Sequence, residues 1–320
     1  MAAAIWGGMY MVSDAVLDVV PPATLVLLRY LIALPVLWIA ARLSRPGAHT
    51  RGIRRADWPR LALTAFVGFG VSLLAQFAGT KLSTAAAGAM ITSATPAFIV
   101  LFAWWLLHER ASGRQWVGLS LATVGVLIVS LLGSPPPTQT ATNPLWGNLL
   151  LIVAAVSWAV YSVLVKLNSQ KYTALAITLA VTALGIPIVT PVVVLELQTQ
   201  SIGLLTVPAV LGILYIGVGS TAIAFFLWNK SFELLTAATA SLFFFAQPVV
   251  GLLLSAVFRG EQLGWSFFAG GALILLGALL GMLAPRMAAS EVASNDRPAI
   301  KSPDYKAAPD TCDAVQRQSG

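Results

Sequence analysis

The chain is 320 residues long, and 58% of its residues are hydrophobic while only 10% are charged. Soluble domains carry about 25% charged residues, so this composition indicates an integral membrane protein. It excludes the disordered, nucleic-acid-binding and disulfide-stapled secreted classes. The single cysteine, Cys312, lies in a polar tail and predicts neither a disulfide framework nor a metal cluster.

Proline, glycine and charged residues divide the chain into ten apolar stretches. A helix needs about 20 consecutive apolar residues to cross a bilayer, and each stretch approaches that length. We predict membrane spans at residues 2–19, 22–43, 58–80, 84–107, 114–133, 145–167, 172–196, 207–230, 236–258 and 264–284. The predicted fold class is therefore an all-α integral membrane protein with ten transmembrane helices.

Nearly all of the 19 lysine and arginine residues fall on one side of such a bundle. They lie in the connections that follow even-numbered spans and in the polar tail. The exceptions are Lys81 and Arg259 on the other side, and Arg29 inside the second span. Because basic loops stay in the cytoplasm, we predict that both termini lie there. The predicted location of the protein is the cell inner (plasma) membrane. No cleaved secretion signal is expected, since no basic residue precedes the first apolar run.

The two halves of the chain align with each other at one constant offset. The matched pairs include Trp6 with Trp158, Pro35 with Pro187, Pro96 with Pro248, and Glu109 with Glu261. Each half holds five spans, an odd number, so equivalent helices cross the membrane in opposite directions and the repeat is inverted. Inverted repeats are typical of secondary transporters. A gene duplication with a purely structural outcome is the alternative.

These observations predict four segments. The first five-helix repeat occupies residues 1–133 (the first half), and an external linker follows at 134–144. The second five-helix repeat occupies 145–285 (the second half), and 286–320 form a cytoplasmic tail. The tail mixes acidic and basic groups with proline and serine, a composition that predicts disorder.

Several short motifs in this order resemble the EamA family of the drug/metabolite transporter superfamily. They are Trp6-Gly7, Pro21-Pro22, Leu28-Arg29-Tyr30, Pro96, His108-Glu109-Arg110, Gly118, Gln247-Pro248 and Gly260-Glu261. The resemblance covers residues 1 to about 285. It implies two inverted five-helix repeats, a central cavity lined by helices 1 to 4 and 6 to 9, and export of small metabolites, amino acids or drugs. Members of the family handle dissimilar substrates, so the cargo stays open.

Asp14 and Arg29 are the only charged residues that we place well inside the membrane. Such residues are costly there and commonly functional. We place them at similar depths, so that they can pair. In a functional role, Arg29 binds an anionic substrate group or is released from Asp14 during the cycle, and protonation of Asp14 couples export to a proton gradient. The structural alternatives are a permanent ion pair between two helices, or an Asp14 that reaches the interface.

Polar and aromatic residues near the matched prolines complete the predicted pathway. A cavity that offers amides, hydroxyls and aromatic rings suits an amphipathic or zwitterionic solute. Besides Asp14 and Arg29, the predicted pathway residues are Trp6, Gln76, Thr92, Thr95, Trp158, Tyr161, Phe243 and Gln247, with Ser93, Ser162, Phe244 and Phe245 beside them. For any one of these residues, ordinary packing or a hydrogen bond between helices is the alternative.

Three further sets of residues predict features of the bundle. Pro35, Pro96, Pro187 and Pro248 predict helix kinks, because proline removes a backbone donor. Gly277 and Gly281 form a ridge that predicts close packing within the chain, with a homodimer seam as the alternative. Tryptophans at helix ends predict interfacial anchors: Trp58, Trp104, Trp105, Trp116, Trp146, Trp228 and Trp265.

The sequence contains no HExxH, GxSxG or GxxxxGK motif and no clustered Cys and His ligands. We therefore expect no enzyme activity, no cofactor and no metal. The expected partners are a small-molecule substrate and membrane lipid, but not nucleic acid. The predicted function is a secondary transporter that exports small organic solutes by alternating access. A passive channel or facilitator, and a non-transporting receptor or scaffold, are the alternatives.

Overall fold

The computed structural model describes residues 1–44, 53–83, 85–132, 142–259 and 265–283. Within these ranges the chain forms helices joined by short connections. The helices are α1 (Ala2–Leu17), α2 (Pro22–Leu43), α3 (Arg55–Leu82), α4 (Ala85–Thr92), α5 (Thr95–Leu107), α6 (Gly113–Leu132), α7 (Pro144–Ser169), α8 (Ala174–Glu196), α9 (Val207–Leu234), α10 (Ala237–Leu242), α11 (Ala246–Arg259) and α12 (Trp265–Met282). The predicted tail, Cys312 and most of the predicted linker lie outside the described residues.

In the described part of the chain, five helices are long and apolar enough to cross a membrane, namely α2, α3, α7, α8 and α9. Shorter apolar helical stretches are Ala2–Leu17, Thr95–Leu107, Ala237–Gly251 and Phe268–Gly281. Only helices satisfy all backbone groups within one segment in hydrocarbon, which is why so apolar a chain folds into them. The chain is thus a multi-pass membrane protein.

The fourth and ninth predicted spans are each interrupted. α4 ends at Thr92 and α5 begins at Thr95, so Pro96 lies in the first turn of a new helix, where its missing N–H costs no hydrogen bond. α10 is followed by a 3-10 turn, Phe243–Phe245, and Pro248 then lies in the first turn of α11. Pro35 and Pro187 instead lie inside α2 and α8, which continue past them.

The third helix of each half contains a π-helical segment. The segment is Phe66–Ser72 in α3 and Tyr215–Ile223 in α9. In the second segment, the Thr221 hydroxyl donates a hydrogen bond to the Ile216 carbonyl at 2.7 Å. π-helical turns inside α-helices occur often at functional sites, because they change the direction of side chains and carbonyls locally.

Glutamates distant in the sequence cap three helix N-termini, two of them from other helices and one, Glu109, from the connection that follows α5. Glu196 accepts hydrogen bonds from the backbone N–H groups of Ala23 and Thr24 in α2, at 2.9 and 2.8 Å. Glu233 caps α8 through the N–H of Ala174, and Glu109 caps α10 through the N–H of Ala237. A carboxylate satisfies free N–H groups there and complements the positive end of the helix dipole.

The predicted glycine ridge packs within the chain. A Cβ at Gly277 would overlap the carbonyl oxygen of Gly118 in α6 and lie 2.8 Å from the Ala122 nitrogen. The backbones of α6 and α12 therefore touch where both helices have glycine. Gly281 faces Leu242 at the end of α10. The homodimer alternative stays a prediction.

Candidate functional site

A cavity lies between helices of the two halves, and the empty space in the cavity and its opening together amounts to about 390 Å³. The first half lines it from α1 to α5, and the second half lines it from α7, α9, the 3-10 turn and α11. Seven of the ten predicted pathway residues line this cavity: Trp6, Arg29, Gln76, Thr92, Thr95, Trp158 and Gln247. Residues far apart in the sequence therefore meet at one place.

Arg29 is fully buried in the cavity wall. Its Nε donates to the Thr221 hydroxyl at 2.7 Å, and its Nη2 lies 3.3 Å from the Ser220 hydroxyl. The guanidinium carbon lies 5.2 Å from the ring centroids of both Phe77 and Phe225, within cation–π range. The described residues form two ion pairs, Lys171 with Asp57 and Lys230 with Glu233, and neither involves Arg29. Its positive charge is therefore held by neutral hydroxyls and aromatic faces.

Four buried polar side-chain atoms in the described part of the chain have no hydrogen-bond partner. They are Arg29 Nη1, Thr95 Oγ1, Trp158 Nε1 and Gln247 Oε1. All four belong to residues that line the cavity. Buried polar groups are nearly always paired in native structures, and each unpaired group is costly. Their concentration at one cavity indicates a place where a polar ligand or water supplies the missing bonds.

Aromatic rings form the apolar wall of the cavity. The ring centroid of Trp6 lies 5.5 Å from that of Trp158 and 5.5 Å from that of Phe225, both in edge-on arrangements. Phe244, from the 3-10 turn, lies 6.1 Å from Trp6. The Trp6 Nε1 donates to the Ser220 carbonyl at 2.9 Å, which anchors α1 on the π segment of α9. These rings offer flat apolar surfaces next to the Arg29 charge.

A chain of hydrogen bonds crosses the cavity near Tyr10. The Gln76 amide donates to the Tyr10 hydroxyl at 3.0 Å, and that hydroxyl lies 2.8 Å from the Thr92 hydroxyl. Thr92 in turn donates to the Gly88 carbonyl at 2.7 Å, so Tyr10 donates to Thr92. The chain joins α1, α3 and α4. Its groups are satisfied, unlike the four unpaired atoms.

Two of the remaining predicted residues lie elsewhere, and the third, Asp14, has a side chain that is not described. Tyr161 is buried behind Trp158, with ring centroids 4.6 Å apart, and its hydroxyl donates to Asn229. Phe243 is 38% exposed and points away from the cavity, whereas Phe244 lines it. Asp14 lies in α1, and its side chain is outside what the structure describes.

Sequence reasoning missed several lining residues. Tyr10 lies one helical turn after Trp6, and this spacing was its only signal. Phe225 follows the π segment, where the helical phase cannot be extrapolated. Trp228 was predicted to be an interfacial anchor, which is wrong, since it is buried and its Nε1 donates to Ser162 at 3.1 Å. Trp104 is exposed, as an anchor requires.

Metal-binding groups are sparse in the part of the chain that the structure describes. There, no group of three or more His, Cys, Asp or Glu side chains could hold a metal ion. Arg29 is also the one charged residue among the cavity-lining residues that are described. The described site can therefore bind through one fixed cation, a few hydrogen bonds and aromatic contact.

Known proteins are similar in sequence to this chain over most of its length. The uncharacterized transporter YetK of Bacillus subtilis (strain 168) is 27% identical over 282 residues, which are 88% of this chain and 84% of YetK. The probable amino-acid metabolite efflux pump of Salmonella typhimurium (strain LT2) is 27% identical over 301 residues, which are 88% of this chain and 93% of that protein. The probable amino-acid metabolite efflux pump of Escherichia coli (strain K12) is 25% identical over 303 residues, which are 88% of this chain and 92% of that protein.

A solved crystal structure shows the same fold, with a TM-score of 0.72 and 22% sequence identity, and the match covers 88% of this chain and 94% of that one. The model of the EamA-like transporter family matches residues 1–131 and again residues 145–283. These two matches extend over most of the chain and confirm the resemblance that the sequence motifs indicate. The chain belongs to the EamA-like transporter family.

Proposed function

We propose that the chain is a secondary transporter that exports small organic metabolites across the cytoplasmic membrane by alternating access. The observation that carries this proposal is the cavity between the two halves. It is lined by both halves and contains the buried Arg29 with an unpaired Nη1. Buried ionisable groups in membrane proteins typically mark substrate pathways.

The proposal includes ten spans in two inverted five-helix repeats. The two separate matches of the family model, to 1–131 and 145–283, support the repeat. The π segments in α3 and α9, and the breaks before Pro96 and Pro248, occupy corresponding places in the two halves. Two equivalent halves of opposite direction can exchange conformations, which opens a central site to each side in turn. Both termini then lie in the cytoplasm.

The interrupted helices supply the moving parts of this cycle. α4–α5 and α10–α11 are each interrupted beside the cavity, near Thr95 and Gln247. Such a break lets one part of a helix tilt while the other stays packed, as hinges in transport proteins require. The relatives named amino-acid metabolite efflux pumps make amino acids and related solutes the first candidates for cargo.

Counterflow in proteoliposomes tests the proposal. Vesicles that contain the purified full-length chain are preloaded with unlabelled amino acids and related carboxylates, and labelled solute is added outside. A carrier gives transient, saturable accumulation. Non-saturating flux without counterflow would instead indicate a channel, and saturable binding without flux would indicate a receptor or scaffold.

Two substitutions in α2 form a matched pair for this assay. Arg29→Gln removes the buried cation, and we expect it to abolish counterflow. Arg42→Gln makes the same change at an exposed position that lies against Trp38, 4.8 Å from its ring centroid, and we expect it to have no effect. Equal flux in both variants would contradict the role given to the cavity.

A further inference from the structure

The charge in the cavity is uncompensated by any side chain that the structure describes. Arg29 is wholly buried, and its described partners are Thr221, Ser220 and two phenylalanine rings. A buried cation is expensive unless an anion lies beside it. Neutral hydroxyls and ring faces orient the guanidinium but do not neutralise it. With respect to the described side chains, which do not include that of Asp14, the group that completes this site is an anion.

The unpaired atoms in the cavity specify which anion fits. Three of them can donate hydrogen bonds, namely Arg29 Nη1, Trp158 Nε1 and the Thr95 hydroxyl, whereas Gln247 Oε1 only accepts. An ionised carboxylate is purely an acceptor, with two oxygens. It can take a charge-assisted hydrogen bond from a guanidinium, which is among the strongest bonds of this kind.

The rest of the cavity argues against a cation on the same solute. No described acidic side chain lines it, so an ammonium group would have only neutral oxygens, such as the Gln247 amide and the Thr95 hydroxyl, and aromatic faces as partners. The walls of Trp6, Phe225 and Phe244 match an apolar or aromatic body. A zwitterion would leave its ammonium without a charged partner, whereas a net anion would neutralise the site.

The geometry points to a monocarboxylate of net charge −1, with an apolar or aromatic body, as the preferred cargo, bound through its carboxylate at Arg29. This inference rests on the proposed function, because it names the substrate class of the same cavity. This preference for a net anion would distinguish the chain from a carrier that selects for the α-amino group of amino acids.

Three ligands that share one body test the inference. They are phenyllactate, a net anion; phenylalanine, which has an ammonium in place of the hydroxyl; and phenylalaninol, which keeps the ammonium but lacks the carboxylate. Binding to the purified full-length chain in detergent is measured by calorimetry and by the ligand-dependent rise in Tm. The hydroxy acid counterpart of leucine repeats the test with an aliphatic body.

We expect phenyllactate to bind most tightly and phenylalanine more weakly. Phenylalaninol should bind at least roughly tenfold more weakly than phenyllactate, since a hydrogen bond to a charged group is worth about a factor of ten or more. Three results would overturn the inference: phenylalaninol binds as tightly as phenyllactate, phenylalanine binds more tightly than phenyllactate, or neither hydroxy acid binds at millimolar concentration.

Variants of α2 locate the carboxylate. Arg29→Gln should abolish the preference for phenyllactate over phenylalaninol, and the exposed control Arg42→Gln should keep it. Arg29→Lys keeps a charge but loses the second donor arm, so it should keep a reduced preference. It serves as the second variant if Arg29→Gln does not fold. An unchanged preference in Arg29→Lys and Arg29→Gln alike would contradict binding at Arg29.

The two hypotheses fail separately. If the ligand series holds in detergent but no solute shows counterflow in vesicles, the transport function is wrong and the carboxylate site stands. If counterflow occurs equally with phenyllactate and phenylalaninol, transport stands and the carboxylate inference is wrong.

Discussion

The Nε of Arg29 donates a hydrogen bond to the hydroxyl of Thr221 at 2.7 Å. This bond joins α2 of the first half to the π segment of α9 in the second half. The same segment presents the Ser220 carbonyl to Trp6 and the Ser220 hydroxyl to Arg29. The π turn therefore fixes both the cation and one aromatic wall of the cavity, and leaves Arg29 Nη1 unpaired.

Thr221→Val tests this anchor. The valine methyl cannot accept from Arg29 Nε, so the guanidinium loses the shorter of its two described hydrogen bonds, and loss of such a bond costs about 1–3 kcal/mol. We expect a lower Tm and weaker binding of carboxylates, measured in the same preparation. Thr190→Val is the control, because the Thr190 hydroxyl bonds only to its own helix, at the Ile186 carbonyl. Equal losses in both variants would contradict the anchoring role.

Replacing the matched tryptophans Trp6 and Trp158 by phenylalanine should have different effects on stability and ligand binding. Trp6→Phe leaves the buried Ser220 carbonyl without its donor, so it should destabilise the fold by about 1–3 kcal/mol. Trp158 Nε1 has no partner, so Trp158→Phe should leave Tm nearly unchanged and weaken ligand binding instead. Thermal unfolding and calorimetry on each variant separate the two effects. A larger loss of Tm in Trp158→Phe would show that its N–H is structural.

Glu109 should act as a cap between the halves. Its carboxylate accepts from the N–H of Ala237 at 2.9 Å, and the loss of a capping acceptor costs about 0.5–2 kcal/mol. Glu109→Ala should therefore lower Tm, whereas Glu109→Gln, which keeps an acceptor oxygen, should retain most of the stability. The repeat predicts a matching role for Glu261, which lies outside the described residues. Equal Tm losses in Ala and Gln variants would contradict capping.

The glycine contact between α6 and α12 should be sensitive to one methyl group. Gly277→Ala places a Cβ against the Gly118 carbonyl, and overpacking of this kind costs about 1–3 kcal/mol. Gly271→Ala is the matched control in the same helix, since a Cβ there meets nothing within 4 Å. Tm should fall only in the first variant. Light scattering on both variants tests the homodimer alternative, which predicts a change of oligomeric state in Gly277→Ala.

Asp14→Asn tests the predicted coupling to protons. If Asp14 takes up a proton during the cycle, the variant should keep counterflow, which needs no net coupling, and lose its dependence on an imposed pH gradient. Wild-type vesicles with and without the gradient provide the comparison. A gradient response that persists in Asp14→Asn would assign coupling to another group, and its absence from the wild-type protein would mean that transport is not coupled to protons.

Much of the site was predictable because charge and polarity are rare in this sequence. Arg29, Gln76 and Gln247 stand out against apolar surroundings, and all three line the cavity. Tyr10 and Phe225 were not predictable in the same way. In a helix that is apolar on every side, periodicity does not distinguish the lipid face from the packed face. The π and 3-10 segments also shift the helical phase just before Phe225 and Gln247.

That the chain is helical, crosses the membrane several times and belongs to its family follows from the sequence, because the lengths of the apolar stretches and the positions of glutamates and prolines can be read along the chain. Tertiary structure alone decided that Trp228 is buried and that Gly277 packs on Gly118. It also decided that the Arg29 cation is held by hydroxyls of α9. These relationships depend on how helices rotate and approach one another, and in lipid that rotation is set by close packing and hydrogen bonds between distant residues.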